Sequence, residues 1–425
     1  MIWIAGLFFV LLLLGLPVAF TIGLAGFLYF VLSPMLPTSI GVQQVATVSQ
    51  SFPLLAVPFF VLAGHLMNES GITERLFRFS RVTVGWMAGG LAQVSILLST
   101  LMGGVSGSAV ADAAMEARVL GPAMHAEGYS KGYTASVIAI SSLITATIPP
   151  SLGLILYGYV GNVSIGQLFL AGIVPGLLMM LVLMVTAWLI ARRRGYRAED
   201  AVKPTIAAVA GATWEAKYAL AFPVLLVISI RGGLFTPSEV GAFAVVYAIV
   251  VGLFVHRELS FAGIMKAFDD AICDIGMIML IILMSGMVGY AIIFEQLPQD
   301  IAGVMLGVSQ NPHVVFIIIL VMLFVAGLFI ESTVLVLLLT PIVVPIITHI
   351  GIDPVHFGVL MMVIVTLGSM TPPVGVAMYT VCSLLETGIG DYVKESLPFV
   401  AAVVGLVAVL VFFPGLVLFV PHAFF

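Results

Sequence analysis

An all-α polytopic membrane fold is predicted by three features of this 425-residue sequence. Apolar residues make up 62% of it and charged residues 8%, a balance that no water-soluble surface of this size could carry. Apolar runs long enough to cross a hydrocarbon core, about 20 helical residues each, recur along the whole length. They are continuous Leu, Ile, Val and Met stretches, unlike the short alternating segments of a membrane β-barrel.

Taken in order, the apolar runs and their breakers place spans near residues 2–14, 17–32, 53–68, 132–158 and 168–191. A second set follows near 218–230, 237–255, 270–295, 357–382 and 398–420. The opening Met1-Ile2-Trp3 carries no basic residue, so it reads as a first span and not as a cleaved leader. Gly15-Leu16-Pro17 separates that span from the next, although it could also kink one longer helix. Two further apolar stretches, about 83–124 and 312–347, are interrupted near their middles by small and polar residues and read as re-entrant hairpins.

The longest poorly apolar stretch, 192–217, is too short for a soluble domain and serves as a linker between residues 1–191 and 218–425. No G-x-x-x-x-G-K-[ST] phosphate loop occurs, which excludes ATP binding by that route. Cys273 and Cys382 lie in apolar stretches as packing residues, with neither metal-ligand spacing nor a disulfide framework. The net charge of −5 is spread over loops and offers nothing for nucleic acid.

Charge sets the expected orientation. If each hairpin enters and leaves on one side, Arg75, Arg78, Arg81, Arg118, Lys131, Arg192, Arg193, Arg194, Arg197, Lys203, Lys217, Arg257, Lys266 and Lys394 share one face. Of the 15 Lys and Arg residues, Arg231 alone falls opposite, so the first face is cytoplasmic, the linker with it, and the C-terminus is periplasmic.

The chain also repeats itself. Thr147-Ile148-Pro149-Pro150-Ser151-Leu152-Gly153 matches Met370-Thr371-Pro372-Pro373-Val374-Gly375 at an offset of 372 − 149 = 223 residues. Pro17 and Pro237 each open a span at an offset of 220, and Ser106-Gly107-Ser108 falls against Glu331-Ser332-Thr333 at 225. With the first hairpin entering from the cytoplasm and the second from the periplasm, the halves are expected to be inverted.

Non-helical backbone at membrane depth is tolerated only where it is buried in protein or lines a cavity. The first tip, Gly103 to Asp112, and the second, Gly327 to Thr333, combine glycines for reversal with hydroxyls that serve as hard oxygen ligands. Each Pro-Pro pair removes backbone donors and frees a carbonyl one turn earlier. A tip facing an unwound Pro-Pro turn makes a small cage suited to Na⁺. The ion candidates are Ser106, Ser108, Thr145 and Thr147 in one half, and Ser332, Thr333, Gly368, Met370 and Thr371 in the other.

Half-helix N-termini that resume after the breaks present N–H groups to an anion, with Ser108, Asp112, Pro150, Thr333 and Pro373 as the substrate-side candidates. Either Pro-Pro alone would read as an ordinary kink, and Gly103-Gly104 alone as a helix-packing site. Their recurrence at matched spacing in both halves favours transport sites. A charge at mid-membrane costs about 2.5–3.5 kcal/mol even on a lenient scale, so Asp112 and Glu331 need a partner or a wet cavity. The plainer alternatives are that Asp112 caps the returning arm and Glu331 sits at the periplasmic mouth. His65, His125, His349 and His356 read as interfacial, and Asp269, Asp270 and Asp274 as the start of a helix.

Three stretches carry a family resemblance: residues 103–112, Phe52 to Phe60, and Thr371-Pro372-Pro373-Val374-Gly375, with Gly351 to Gly358 as a fourth. They resemble the large permease subunit of tripartite ATP-independent periplasmic transporters, over essentially the whole chain. The resemblance implies an inner-membrane, Na⁺-driven importer of an organic acid such as sialic acid or a C4-dicarboxylate, using an elevator motion and no cofactor beyond Na⁺. It also implies two partners: a small four-helix membrane subunit, here a separate chain, and a soluble periplasmic binding protein. The rivals are a stand-alone dicarboxylate or citrate carrier of related architecture and an ion channel. An enzyme is disfavoured, because no nucleophile and base pair stands out.

Overall fold

The computed structural model describes residues 2–196 and 203–424, so Arg197 of the expected linker lies outside the described residues. Every regular element among them is helical. Six helices are long and apolar enough to cross a membrane: Phe52–Glu69, Ile165–Arg194, Pro237–His256, Phe261–Phe294, Ser332–His349 and Ile389–Phe412. Leu181, Val185 and Leu189 lie exposed along one side of Ile165–Arg194, an apolar surface suited to lipid or to a membrane partner. At the basic end of that helix Arg192 lies 4.3 Å over the Trp188 ring, a pairing typical of the membrane–water boundary.

Local chemistry sets the helix starts. Ser130, Ser151 and Ser164 accept backbone N–H groups as N-caps. Thr236 and Glu239 form a reciprocal capping box ahead of Pro237. Gly15, at φ +83°, separates Ile2–Leu13 from Val18–Leu32, so the N-terminal apolar stretch is two helices and not one kinked helix.

Several expectations are corrected. The span expected near 270 begins at Phe261, capped by Ser260, so Asp269, Asp270 and Asp274 do not mark a helix start. Asp274 instead meets His65 at 2.9 Å. The last span begins at Ile389 and breaks at Phe413. The first hairpin begins at Gly90, because residues 72–84 form a separate amphipathic helix carrying Arg75, Arg78 and Arg81. His356 is buried, with its Nε2 2.9 Å from Leu410 O, and is not interfacial. Cys273 is exposed, so of the two cysteines only Cys382 packs inside.

The two hairpins are Gly90–Gly103 with Ala109–Ala126, and Pro312–Gly327 with Ser332–His349. Both Pro-Pro helices are broken, as Lys131–Ser141 with Leu152–Val160 and Pro354–Ser369 with Val376–Leu384. Helices start at residues 90, 109, 131, 152 and 165, and again at 312, 332, 354, 376 and 389, an offset that stays between 222 and 224. Their packing is reciprocal. The second arm of each hairpin lies against the far piece of the other half's broken helix, Ala109–Ala126 on Val376–Leu384 and Ser332–His349 on Leu152–Val160. The halves are pinned at their crossing by Tyr157, whose hydroxyl donates to Pro354 O at 2.7 Å.

Candidate functional site

Residues 104–108 reverse the chain at the first tip. Gly107 has φ +65°, and a Cβ there would run into the Pro150 carbonyl, so glycine is required twice over. Leu152 N donates to Gly107 O at 3.5 Å, and Gly103 packs on the backbone of Thr145. The tip is thereby seated on the Pro-Pro turn of its own half. Residues 142–150 form that turn, and the Pro149–Pro150 bond is cis.

Side chains around this tip are tied together. Ser106 Oγ donates to Asp112 Oδ1 at 2.7 Å, and Ser108 N donates to Ser106 Oγ at 3.4 Å. Ser108 is the N-cap of the returning arm, accepting from Ala111 N, so Asp112 is not the cap. Asp112 is 2% exposed, and its Oδ2 has no hydrogen-bond partner among the described residues. Thr145 lies close by but donates to Ser99 O at 2.9 Å, while Thr147 donates to Leu143 O.

The second tip, residues 328–331, is seated in the same manner. Leu328 O accepts from Val374 N at 3.1 Å and from Gly375 N at 3.3 Å, just beyond the cis Pro372–Pro373 bond. Gly327 and Gly368 pack backbone to backbone. Glu331 caps the returning arm: its Oε2 accepts from Thr333 N at 2.8 Å and Val334 N at 3.3 Å. Its Oε1 accepts the hydroxyls of Ser332 at 2.9 Å and Thr333 at 3.0 Å.

Each tip is thus seated on the Pro-Pro turn that carries the other expected ligands of its half. Some are already engaged. Gly368 O receives Thr371 N and Oγ1, and Met370 O receives the Tyr392 hydroxyl at 2.7 Å. The substrate-side candidates are unequally placed: Pro150 is buried and Pro373 exposed. The donor set of hydroxyl, carbonyl and carboxylate oxygens suits a small hard cation, and the partnerless Asp112 Oδ2 gives the first tip an uncompensated acceptor that such a cation would satisfy. Among the described residues no group of three or more His, Cys, Asp and Glu converges as a metal cluster.

Sequence alone does not single out Glu116, one turn beyond Asp112 on the same face. It is fully buried, and its oxygens accept from Ser95 Oγ at 2.6 Å and Ser99 Oγ at 2.7 Å. An acid within an apolar stretch was the available signal. Its donors lie on the other arm and could not be assigned without the fold.

Residues 5–416 match the family model of the tripartite ATP-independent periplasmic transporter, DctM component. The chain is 36% identical over 97% of its length to the sialic acid TRAP transporter large permease protein SiaM of Vibrio cholerae, covering 96% of that protein. It is 33% identical to the 2,3-diketo-L-gulonate TRAP transporter large permease protein YiaN of Escherichia coli, over 95% of each. The Pseudomonas aeruginosa C4-dicarboxylate TRAP transporter large permease protein DctM is 32% identical over 95% of this chain and 94% of that one. Among solved structures, the Alcanivorax borkumensis YdaH transporter shares the fold at TM-score 0.66 and 15% identity, covering 88% of this chain and 87% of that chain. Neisseria gonorrhoeae MtrF shares it at TM-score 0.60 and 14% identity, covering 87% and 83%. A multi-pass helical membrane protein with this whole-length match is a transporter permease and not an enzyme, and the chain belongs to the DctM family of tripartite ATP-independent periplasmic transporters.

Proposed function

We propose that this chain is the translocating subunit of a Na⁺-coupled importer of an organic acid, working with a small membrane subunit and a periplasmic binding protein. The observation that carries the reading is the seating of each hairpin tip on its own Pro-Pro turn, through Gly107 and Leu152 in one half and Leu328 and Val374 in the other. Ser106, Ser108, Thr145 and Asp112 would hold Na⁺ at the first cage, and Ser332, Thr333 and Thr371 at the second. Na⁺ supplies the positive charge that orders each tip and draws the carboxylate of the substrate.

The recurrent helix order and reciprocal packing support reading the halves, 1–191 and 218–425, as inverted repeats. An elevator motion of the hairpins and broken helices against the remaining helices would carry the site across. The basic linker would lie in the cytoplasm and the C-terminus in the periplasm. Sialic acid and C4-dicarboxylates are the substrate classes suggested by the relatives. Two Na⁺ entering with a monoanion such as sialate move one net charge, worth about 2.3 kcal/mol per 100 mV, whereas a C4-dicarboxylate dianion would forfeit that electrical term.

The test is uptake of radiolabelled sialic acid and succinate by proteoliposomes holding this chain and its membrane partner. Uptake should require both an inward Na⁺ gradient and the binding protein. Uptake indifferent to Na⁺ would overturn the coupling, uptake without the binding protein would favour a stand-alone carrier, and non-saturating current would favour a channel.

A further inference from the structure

Glu116 is a buried acid for which the transport mechanism above has no use. It sits on the returning arm of the first hairpin and draws on three elements at once. Ser95 and Ser99, on the entering arm, donate to its two oxygens at 2.6 and 2.7 Å. Ser141, on the first piece of the broken helix, meets Ser99 at 3.0 Å and Ser95 at 3.3 Å. The backbone carbonyl of Ser99 in turn receives the Thr145 hydroxyl at 2.9 Å. A continuous chain of bonds therefore joins Glu116 to a proposed cage residue.

The ligand that fits this cluster is a proton. Its oxygens are already in hydrogen-bond contact with one another, leaving no room for a metal ion at the usual cation–oxygen distances. Hydroxyls are rotatable donors and acceptors. When Glu116 is ionised, Ser95 and Ser99 both donate to it. When it takes a proton, Ser95 can accept that proton and turn its own hydrogen toward Ser141, so both states are fully bonded.

The acid nearest in sequence to Glu116 is Asp112, one turn back on the same face of the arm. The titratable groups on the elements packed against this arm are Lys131 and Tyr133 on one and Tyr379 and Cys382 on another, and the entering arm has none. Lys131 is turned to Glu386 and Tyr133 to Ala187 O, Tyr379 is exposed, and Cys382 is buried. Arg118 and His125 lie further along the same arm.

We propose that Glu116 is an intramembrane proton-binding site of the first hairpin whose occupancy opposes Na⁺ at the neighbouring cage. The sign follows from charge. An ionised Glu116 adds negative potential beside the cage and strengthens Na⁺ binding, and a proton there removes it. By reciprocity, Na⁺ binding expels the proton. The inference rests on the reading of the first tip as an ion cage.

The experiment measures the rise in Tm that Na⁺, against choline, gives the purified native protein and the E116Q variant across buffers from mildly acidic to mildly alkaline. The glutamine amide can donate to one serine and accept from the other, mimicking the protonated acid. For the native protein the Na⁺ effect should weaken about fivefold or more toward acid, while for E116Q it should weaken at least about twofold less over the same range, the remaining loss belonging to Asp112 in the cage itself. Equal pH profiles in the two proteins, or a Na⁺ effect in the native protein that ignores pH, would overturn the proposal. Should E116Q fail to fold, the Na⁺-minus-choline infrared difference spectrum of the native protein in acid decides instead. Loss of a protonated-carboxyl C=O band on adding Na⁺ supports the site when that band shifts in frequency in E116D, and no change, or a band at the same frequency in both proteins, refutes it. A native protein whose Tm ignores Na⁺ at every pH sinks the cage itself, a failure distinct from the others.

Discussion

Ser106 Oγ donates to Asp112 Oδ1 across 2.7 Å, closing the first hairpin tip over a carboxylate that is otherwise almost wholly removed from solvent. The other carboxylate oxygen of Asp112, Oδ2, has no hydrogen-bond partner among the described residues. Hydrogen bonds to charged groups are worth about 1.5–3 kcal/mol. Ser106→Ala should therefore raise the Na⁺ concentration for half-maximal uptake about tenfold or more, with Ser106→Thr retaining most of the native value. Transport assays over a Na⁺ series check this.

Glycine packing makes the second tip brittle. A Cβ on Gly368 would lie 2.6 Å from the Gly327 carbonyl carbon, backbone that cannot step aside, whereas nothing lies within 4 Å of the corresponding position at Gly390. Gly368→Ala should depress transport strongly and lower thermal stability by about 1–3 kcal/mol, the cost of forcing an extra carbon into a packed site. Gly390→Ala should leave both near the native level. Equal behaviour of the two variants would show that the tip is not docked in this way.

Glu331 combines capping with organisation of two candidate ligands. Replacing it by alanine removes acceptors for Thr333 N and Val334 N, a cap worth about 0.5–2 kcal/mol. The same change releases the hydroxyls of Ser332 and Thr333. Glu331→Ala should accordingly lower the melting temperature and weaken Na⁺ dependence together, and Glu331→Gln, which keeps one carbonyl oxygen, should fall between.

An ion pair outside the spans supplies a pH prediction. Hydrogen bonding from Arg75, 2.8 Å away, holds the Glu258 carboxyl below its ordinary range. A depressed carboxylate contributes stability that is present above its unfolded pKa and lost as pH falls through the folded value. The pair is partly solvated, so the effect is limited to about 1 kcal/mol or less. Acidification below the usual glutamate range should loosen the junction of residues 71–75 with 256–258, seen as faster hydrogen exchange. Glu258→Gln should show that fast exchange already at neutral pH.

Much of this fold is legible in the sequence because a membrane span is a strong, contiguous signal and its interruptions stand out. The hairpin expected at 312–347 is Pro312–His349, and both Pro-Pro breaks fall where proline chemistry requires. What escapes is short, amphipathic or long-range. Thr38–Ser49, Ile72–Val84, Ile206–Glu215 and Leu297–Val308 are too short or too polar to register over a window of about 20 residues. Lys266, Asp269 and Asp270 hide the first turns of Phe261–Phe294 by lowering local hydropathy. The burial of His356 depends on Leu410 O, and that of Glu116 on Ser95 and Ser99, partners that only the folded chain brings near.

The central claim, that the hairpin tips seated on the Pro-Pro turns bind Na⁺, is tested most directly by equilibrium binding of radiolabelled Na⁺ to the purified protein. Saturable binding is expected, weakened about tenfold by Ser106→Ala and by Thr333→Ala, with each substitution affecting one of two sites. No saturable binding, or binding unchanged in both variants, would contradict it.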